Sequence, residues 1–386
     1  MKITKTFLTG AVALAGFISM AGAAVIDVDV LLASQAPTFV HVDQCAIDFV
    51  VPPVIVNSRT FVEISTLSNR LDIALEWRQS DQRVTGTASN GSVFHLYIGS
   101  LYADVNGQSV ILDAAPFIAA NYNRTMIPLS FVAKATGAQV IWRNAPRTAD
   151  IYANKNKMCA LTEMHRMVDF VFRGYYDFGQ AGPIAITPAK LINATSTQSV
   201  YLIGLAGTDL GRLKAETSAT GIWEDFLVGA FNLGNSYEEA TVSAILNHIP
   251  QGSKLILSGH SLGGMIAQEI AADSRIKDKY VILNTITFGS PLISALSGRE
   301  GTVKRMGDFA DAVPLLSVDG TVLLPWQVAG LNIRDGGYGP FGLSGAHNES
   351  YRRYNVWHGF DALGFENGSS SVTFYPSDLR YYAAPR

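Results

Sequence analysis

The chain has 386 residues, of which 48% are hydrophobic and only 16% are Asp, Glu, Lys or Arg. A soluble domain averages about 25% charged residues, so this surface leans on uncharged polar groups, and so apolar a composition excludes intrinsic disorder. With 29 Lys and Arg against 32 Asp and Glu the net charge is −3, which offers no electrostatic footprint for nucleic acid; at about 150 residues per domain, the length predicts two or three domains.

The first element is an address label. Lys2 and Lys5 precede an apolar run from Phe7 to Met20, and Ala21-Gly22-Ala23 supplies the small residues a signal peptidase accepts. The run is too short to span a bilayer, so residues 1–24 read as a signal peptide with cleavage near Ala23 or Ala24. No cysteine stands at that point to carry a lipid. No later apolar run reaches about 18 residues, so the mature chain is expected to be secreted (extracellular, periplasmic or cell-surface) and without a transmembrane segment. In an oxidising compartment the two cysteines, Cys45 and Cys159, favour a disulfide over two separately buried thiols, and they are too few for a metal cluster.

Residues 25–154 contain a repeat. Arg59-Thr60-Phe61-Val62-Glu63-Ile64-Ser65 returns 65 positions later as Arg124-Thr125-Met126-Ile127-Pro128-Leu129-Ser130. The same offset carries Leu67 to Val132 and Trp77-Arg78 to Trp142-Arg143, after which the register slips by one. A duplicated supersecondary unit is the simplest cause. Each copy reads as a β-rich run, a polar turn (Asn57-Ser58 in the first), a short helical stretch, a strand ending at the Trp and a further short strand. Phe94 to Ser100 alternates as a half-buried strand does. The expectation is a compact, duplicated α+β module. The segments PPVIVNSRTFVEI…LEW and VNGQSVILDAAPFIAANYNRTMIPLSFVAKATGAQVIW resemble the two halves of the copper amine oxidase N-terminal-like domain. That resemblance implies a non-catalytic stalk or attachment module. Despite the family's name, His41 and His95 do not form a metal-spaced cluster, and each reads as a packed or surface residue.

A polar linker, Asn154 to Lys157, leads into residues 155–386. A helical pattern starts at about Met158, with Leu161, Met164, Met167, Val168, Val171 and Phe172 on one face. Beyond it, strands alternate with helices. Val200–Leu205 is an apolar strand, residues 236–249 a helix ended by Pro250, Lys254–Ser258 a strand, and Met265–Ala272 a helix. Strand patterns recur at Tyr280–Leu283, Thr285–Gly289 and Thr302–Arg305. This alternation predicts an α/β fold with a mostly parallel sheet and helices on both faces.

Between the strand at 254 and the following helix stands Gly259-His260-Ser261-Leu262-Gly263, a G-x-S-x-G sequence. With 35 glycines, roughly 0.2 such matches arise by chance, so the context decides. A serine nucleophile must be lifted from the sheet on a tight strand-to-helix turn, where bulky neighbours clash and the helix start presents free N–H groups to a developing oxyanion. Ser261 has that setting. Such a serine needs a base, and the base an orienting acid, in the chain order Ser, Asp or Glu, His. Two histidines follow Ser261, His347 and His358, and Asp308 and Asp311 both stand just past a predicted strand end.

The segments LILSGHSLGGMIA, ITFGSPLI, RMGDFADAVPLL and AHNESY resemble the class 3, or fungal-type, lipase family over about 225 residues, with an α/β-hydrolase fold. The resemblance selects Asp311 over Asp308, because the family's acid precedes x-Val-Pro, and His347 over His358, because a Tyr follows the family's base. It also implies an oxyanion hole made by Thr208, in Leu205-Ala206-Gly207-Thr208, and the N–H of Leu262. Ala206 departs from the family's usual Arg. Residues 222–231, with Trp223 and Phe226, fall where lipases carry a lid or acyl-pocket wall, and Trp223 reads equally as core. Leu323 to Gly345 reads as a long loop bordering the cleft.

The function expected is a secreted serine ester hydrolase acting on lipid or other acyl esters, with no cofactor and no metal. The alternatives are an esterase or amidase on non-lipid substrates, and a surface-attachment protein whose hydrolase domain is silent. Attachment to a cell surface or wall is assigned to the N-terminal module.

Overall fold

The computed structural model describes residues 18–20, 23–144, 147–176, 182–207, 236–294, 297–315, 330–339 and 342–384. They divide into two units, Met1–Lys155 and Asn156–Arg386. Neither cysteine is a free thiol, and Cys45 and Cys159 are both disulfide-bonded.

The first unit is strand-rich, with sheets of six, five and four strands. Most of the expected signal peptide lies outside the described residues. Its end, Ile18–Met20, pairs with Ala23–Ile26, which joins the six-stranded sheet through Val25 and Ile118. The repeat is visible as repeated elements. Strand Arg59–Glu63, helix Ile64–Leu71 and strands Ile73–Arg78 and Arg83–Ala88 recur as Arg124–Pro128, Leu129–Thr136, Gln139–Asn144 and Arg147–Tyr152. The pairing does not show the one-residue slip read from the sequence: Trp77 lies opposite Val84 and Trp142 opposite Ala149, so the offset of 65 continues into the last strand of each copy. The hairpin into the first copy turns on Asn57 and Ser58, at φ 48° and 61°, as a two-residue primed turn requires.

Equivalent strands of the two copies pair with each other. Val62 lies opposite Ile127, its own counterpart, with Phe61 opposite Pro128 and Glu63 opposite Met126. A local two-fold axis therefore passes through that pair. The register sends Val62, Ile64 and Leu67 into the same core as Ile127, Leu129 and Val132. Each such side chain, fully buried, stabilises by about 1.5–3 kcal/mol. Glu63, where the second copy has Pro128, is 1% exposed. Its carboxylate accepts the N–H groups of Val50 and Val51 and the Ser65 hydroxyl. The substitution that breaks the repeat thus ties down the incoming chain.

The second unit is built on one nine-stranded sheet. Its strands are β1 Cys159–Leu161, β2 Ile184–Ile192, β3 Thr197–Leu205, β4 Lys254–His260, β5 Val281–Phe288, β6 Thr302–Asp308, β7 Leu331–Arg334, β8 Ser371–Phe374 and β9 Arg380–Tyr382. The order is β1-β8-β2-β3-β4-β5-β6-β7, with β9 also against β2. Strands β3 to β7 run parallel, whereas β1, β2, β8 and β9 add antiparallel pairings. The sheet is therefore mixed rather than mostly parallel. Only residues 193–196 join β2 to β3, a connection long enough for a hairpin and too short for a parallel crossover.

The predicted helix at 158 is also corrected. Cys159–Leu161 is strand β1, paired with β8 more than 200 residues later, and helix α1 runs over Met164–Tyr176. The six predicted apolar positions are nonetheless all buried. Tertiary pairing has overridden local periodicity. Helix α2 spans 236–248 and helix α3 Leu262–Ile270. Alternate residues of β3 face opposite ways. A Cβ on Gly204 would meet Phe170 of α1 at 2.7 Å, while Leu205 packs in the core that holds Ile245 of α2 and Leu262 and Met265 of α3. Helices thus cover both faces. In parallel sheets of this kind, ligands and chemistry are found at the C-terminal ends of the strands, here those of β3 to β6.

Candidate active site

Ser261 sits alone between strand β4 and helix α3, at φ 54° and ψ −123°. A non-glycine residue held there costs of order 1–3 kcal/mol and persists only where its surroundings over-determine it. The surroundings here are steric. A Cβ on Gly259 would lie 2.2 Å from the Gly263 carbonyl oxygen, and one on Gly263 would lie 2.1 Å from that of Leu205. Both obstacles are backbone, so neither can swing aside, and the glycines of the motif are the condition for strand and helix to meet this closely. The Ser261 N–H donates to the Phe288 carbonyl at 2.9 Å, and its own carbonyl accepts from Gly264 N–H at 3.0 Å. Leu262 opens α3, so its N–H belongs to the first turn, whose donors have no partner within the helix.

His347 lies on helix α4, Leu343–Asn348, and is 4% exposed. Its Nδ1 lies 2.9 Å from Oδ2 of Asp311, which follows β6 and is 1% exposed. The same oxygen accepts the Tyr351 hydroxyl at 2.6 Å, and the other accepts the Val313 N–H at 3.0 Å. Burial pushes the Asp311 carboxyl up. Its charge interaction with His347 and the hydrogen bonds from His347, Tyr351 and Val313 outweigh that burial and hold it below the ordinary carboxylate range. A carboxylate partner at Nδ1 places the imidazole proton there and leaves Nε2 with its lone pair.

Gly289, at φ 55° just past β5, makes room for the pair. A Cβ there would lie 2.8 Å from Asp311 Oδ2 and 3.1 Å from His347 Nδ1. Sequence reasoning quoted Gly289 without giving it a role. Its neighbour Phe288 holds the Ser261 N–H, and the His260 ring beside Ser261 reaches the His347 carbonyl at 2.7 Å. Ser261, Asp311 and His347 therefore gather at adjoining strand ends. The Ser261 hydroxyl makes no hydrogen bond among the described residues. Such bonds are often long or unformed without substrate and tighten when it binds.

The rejected alternatives have other partners. Asp308 accepts the N–H groups of Gly336 and Ala310, each at 2.8 Å, and the Ser350 hydroxyl. His358 is exposed, with Nδ1 3.0 Å from the Asn355 carbonyl. Tyr351, present in the motif used to choose His347, joins these groups: its oxygen accepts from Asp308 N–H at 3.1 Å while its proton goes to Asp311. Burial, then the Asp311 charge, pushes its phenol well above the usual value, so it remains a donor.

Thr208 lies outside the described residues, as do Trp223 with the rest of 222–231, and 323–329 and 340–341 in the predicted loop at 323–345. The residue before Thr208 is placed: a Cβ on Gly207 would come within 2.8 Å of Ser261 Cβ. The continuation of β3 thus runs directly against the nucleophile candidate. Ala206 is fully buried, and a Cβ on Gly174 would come within 2.8 Å of its methyl group. The close packing of α1 just past the end of β3 is thus built around an alanine side chain.

Residues 195–307 match the family described as lipase (class 3), and residues 41–151 match the copper amine oxidase N-terminal domain. The lipase match supports a lipase-type carboxylic ester hydrolase and implies an α/β-hydrolase fold. It includes Ser261 and stops short of Asp311 and His347, so it spans less of the chain than the motifs suggest. No curated protein matches the chain. His41 Nδ1 is held by Asp150 and His95 Nδ1 lies against Thr85, and the described residues contain no group of three or more His, Cys, Asp or Glu suited to a metal. No helix among them is long and apolar enough to cross a membrane.

Proposed function

We propose that the second unit is a secreted serine ester hydrolase of lipase or phospholipase type, cleaving acyl esters of lipids through Ser261, His347 and Asp311. The observation that carries this reading is a buried His347–Asp311 pair at the strand ends beside a serine held at positive φ. In the proposed reaction, His347 Nε2 takes the Ser261 proton as the hydroxyl oxygen attacks the ester carbonyl. Asp311 keeps the proton on Nδ1 and stabilises the imidazolium that forms. The tetrahedral oxyanion is held by the Leu262 N–H and by Thr208, each such donor being worth about 10²–10³ in rate. His347 then protonates the leaving alcohol. Water, activated by the same imidazole, releases the acid and restores Ser261.

To the first unit, which matches the copper amine oxidase N-terminal domain over residues 41–151, we assign attachment to a cell surface or wall. Hydrolysis of triglyceride, phospholipid and p-nitrophenyl esters by wild type and Ser261→Ala tests the main reading. Turnover of an ester by wild type that Ser261→Ala lacks supports it. Equal turnover by both proteins overturns it.

A further inference from the structure

His260, the second residue of the motif, has no role in the steps above, yet it is 1% exposed and both of its ring nitrogens are engaged. Nε2 lies 2.7 Å from the carbonyl oxygen of His347, and Nδ1 lies 2.7 Å from the hydroxyl of Tyr175 on α1. That hydroxyl also accepts the N–H of Gly207 at 2.6 Å. The proton positions follow from donor and acceptor chemistry. A carbonyl only accepts, so Nε2 carries the hydrogen. Nδ1 of a neutral imidazole is then a lone pair, so Tyr175 donates to it. The Tyr175 oxygen in turn accepts from Gly207. The result is one directed line, Gly207 N–H to Tyr175 O–H to His260, and His260 N–H to the His347 carbonyl.

We propose that Tyr175 and His260 are positioning residues that brace Gly207 and the backbone of His347 against each other. The inference rests on the acyl-transfer reading above, and it assigns a duty to residues that touch no reacting atom. One end of the line holds the residue before the proposed oxyanion donor Thr208, whose neighbour Gly207 packs against Ser261 Cβ. The other end holds the residue whose imidazole is the proposed base. The two machines are thereby set in register across a strand, β4, that contacts both.

The brace works only while His260 is neutral, since an imidazolium could not accept from Tyr175. Burial, followed by the charge of His347, lowers its pKa to about 3. The His347 carbonyl and Asp311 act in the opposite sense and are outweighed. The contribution from His347 is that of its imidazolium, the form it takes in the proposed cycle, so charging His347 disfavours protonation of His260. The rings pack as well as bond, with His260 centroids 4.8 Å from Phe172 and 4.7 Å from His347.

Tyr175→Phe tests the proposal, because it keeps the ring against Phe172 and His260 and removes only the hydroxyl. The expected result is a fall of about 10- to 100-fold in kcat for a p-nitrophenyl ester, and in the rate of Ser261 phosphonylation by a fluorophosphonate, with KM within about twofold. His260→Gln, whose amide offers both an N–H and an oxygen, should retain more activity than His260→Leu. The wild-type ¹⁵N spectrum, which needs no variant, should show His260 as the neutral Nε2–H tautomer at pH 7. Phosphonylation of Tyr175→Phe at the wild-type rate, or an Nδ1–H tautomer at His260, overturns the proposal alone. A wild type whose Ser261 is never phosphonylated removes the acyl-transfer reading and this inference with it.

Discussion

Both units bury a histidine against an aspartate at nearly the same distance, and only one of the pairs has the setting of a catalytic site. In the first unit His41 Nδ1 lies 2.8 Å from Asp150, and the second oxygen of that carboxylate accepts Arg143 Nε at 2.8 Å. His41 and Asp150 stand directly opposite each other on two parallel strands of one sheet. The pair belongs to the framework, and an arginine already takes up the carboxylate charge. In the second unit the pair lies past the strand ends, on residues 311 and 347, and the carboxylate is completed by a phenol and a backbone N–H. The Asp311 charge thus remains directed at the imidazole, beside a serine in a costly backbone conformation. A histidine–aspartate hydrogen bond is therefore no signature of catalysis. What distinguishes the two is where the fold places the pair and what else the carboxylate holds.

The sharpest way to break this comparison is to remove each member in turn. Ser261→Ala and His347→Ala should lower kcat on a p-nitrophenyl ester by about 10⁵–10⁶, and Asp311→Asn by about 10⁴, with the melting temperature of Ser261→Ala little changed. His41→Ala should do the reverse, leaving kcat untouched while destabilising the first unit by about 2–3 kcal/mol in chemical denaturation. A loss of turnover in His41→Ala would mean that the two pairs had been assigned to the wrong duties.

A second contrast concerns glycines. Gly259→Ala drives a Cβ into backbone atoms and should cost more than about 3 kcal/mol, or prevent folding. Gly91→Ala, at φ 85° in the first unit with open space around it, should cost only about 1 kcal/mol, for backbone strain alone. Thermal melts of the two variants separate a glycine required by close approach from one required by its turn.

Acid titration sharpens the account of Asp311. Its carboxyl binds a proton less readily in the folded than in the unfolded chain, so it contributes stability above the ordinary value of about 3.9, and that contribution fades as the pH falls through the depressed folded value. Asp311→Asn should therefore cost about 2 kcal/mol near neutral pH, with the gap to wild type closing in strong acid. A gap that widened on acidification would reverse the sign and refute the stated cause. The smallest effect is expected from relieving the elbow: Ser261→Gly, though inactive, should be more stable than Ser261→Ala by about 1 kcal/mol in urea denaturation.

How much of this was legible in the sequence depended on the distance over which each feature is decided. The elbow was legible because its cause is local: strand, glycine, serine, glycine and helix are contiguous. The duplication was legible because an offset of 65 is carried by identical or similar side chains at the same pleat positions. The antiparallel half of the second sheet was not, since β1 is a strand only because β8 arrives beside it, and the same residues in isolation have helical spacing. Neither did spacing choose between Asp308 and Asp311 or between His347 and His358. The family resemblance did that; in the structure Asp308 accepts two backbone N–H groups and His358 is exposed. Tyr175 lies 85 residues before His260 and no motif links them, so their contact had no sequence signal at all.

The central claim is that His347 activates Ser261, and peptide mapping of a fluorophosphonate adduct tests it most directly. Wild type should carry a single phosphonyl group, on Ser261, while His347→Ala treated for the same time should carry none there. An adduct on another serine, or labelling of Ser261 at the wild-type rate in His347→Ala, would contradict the account.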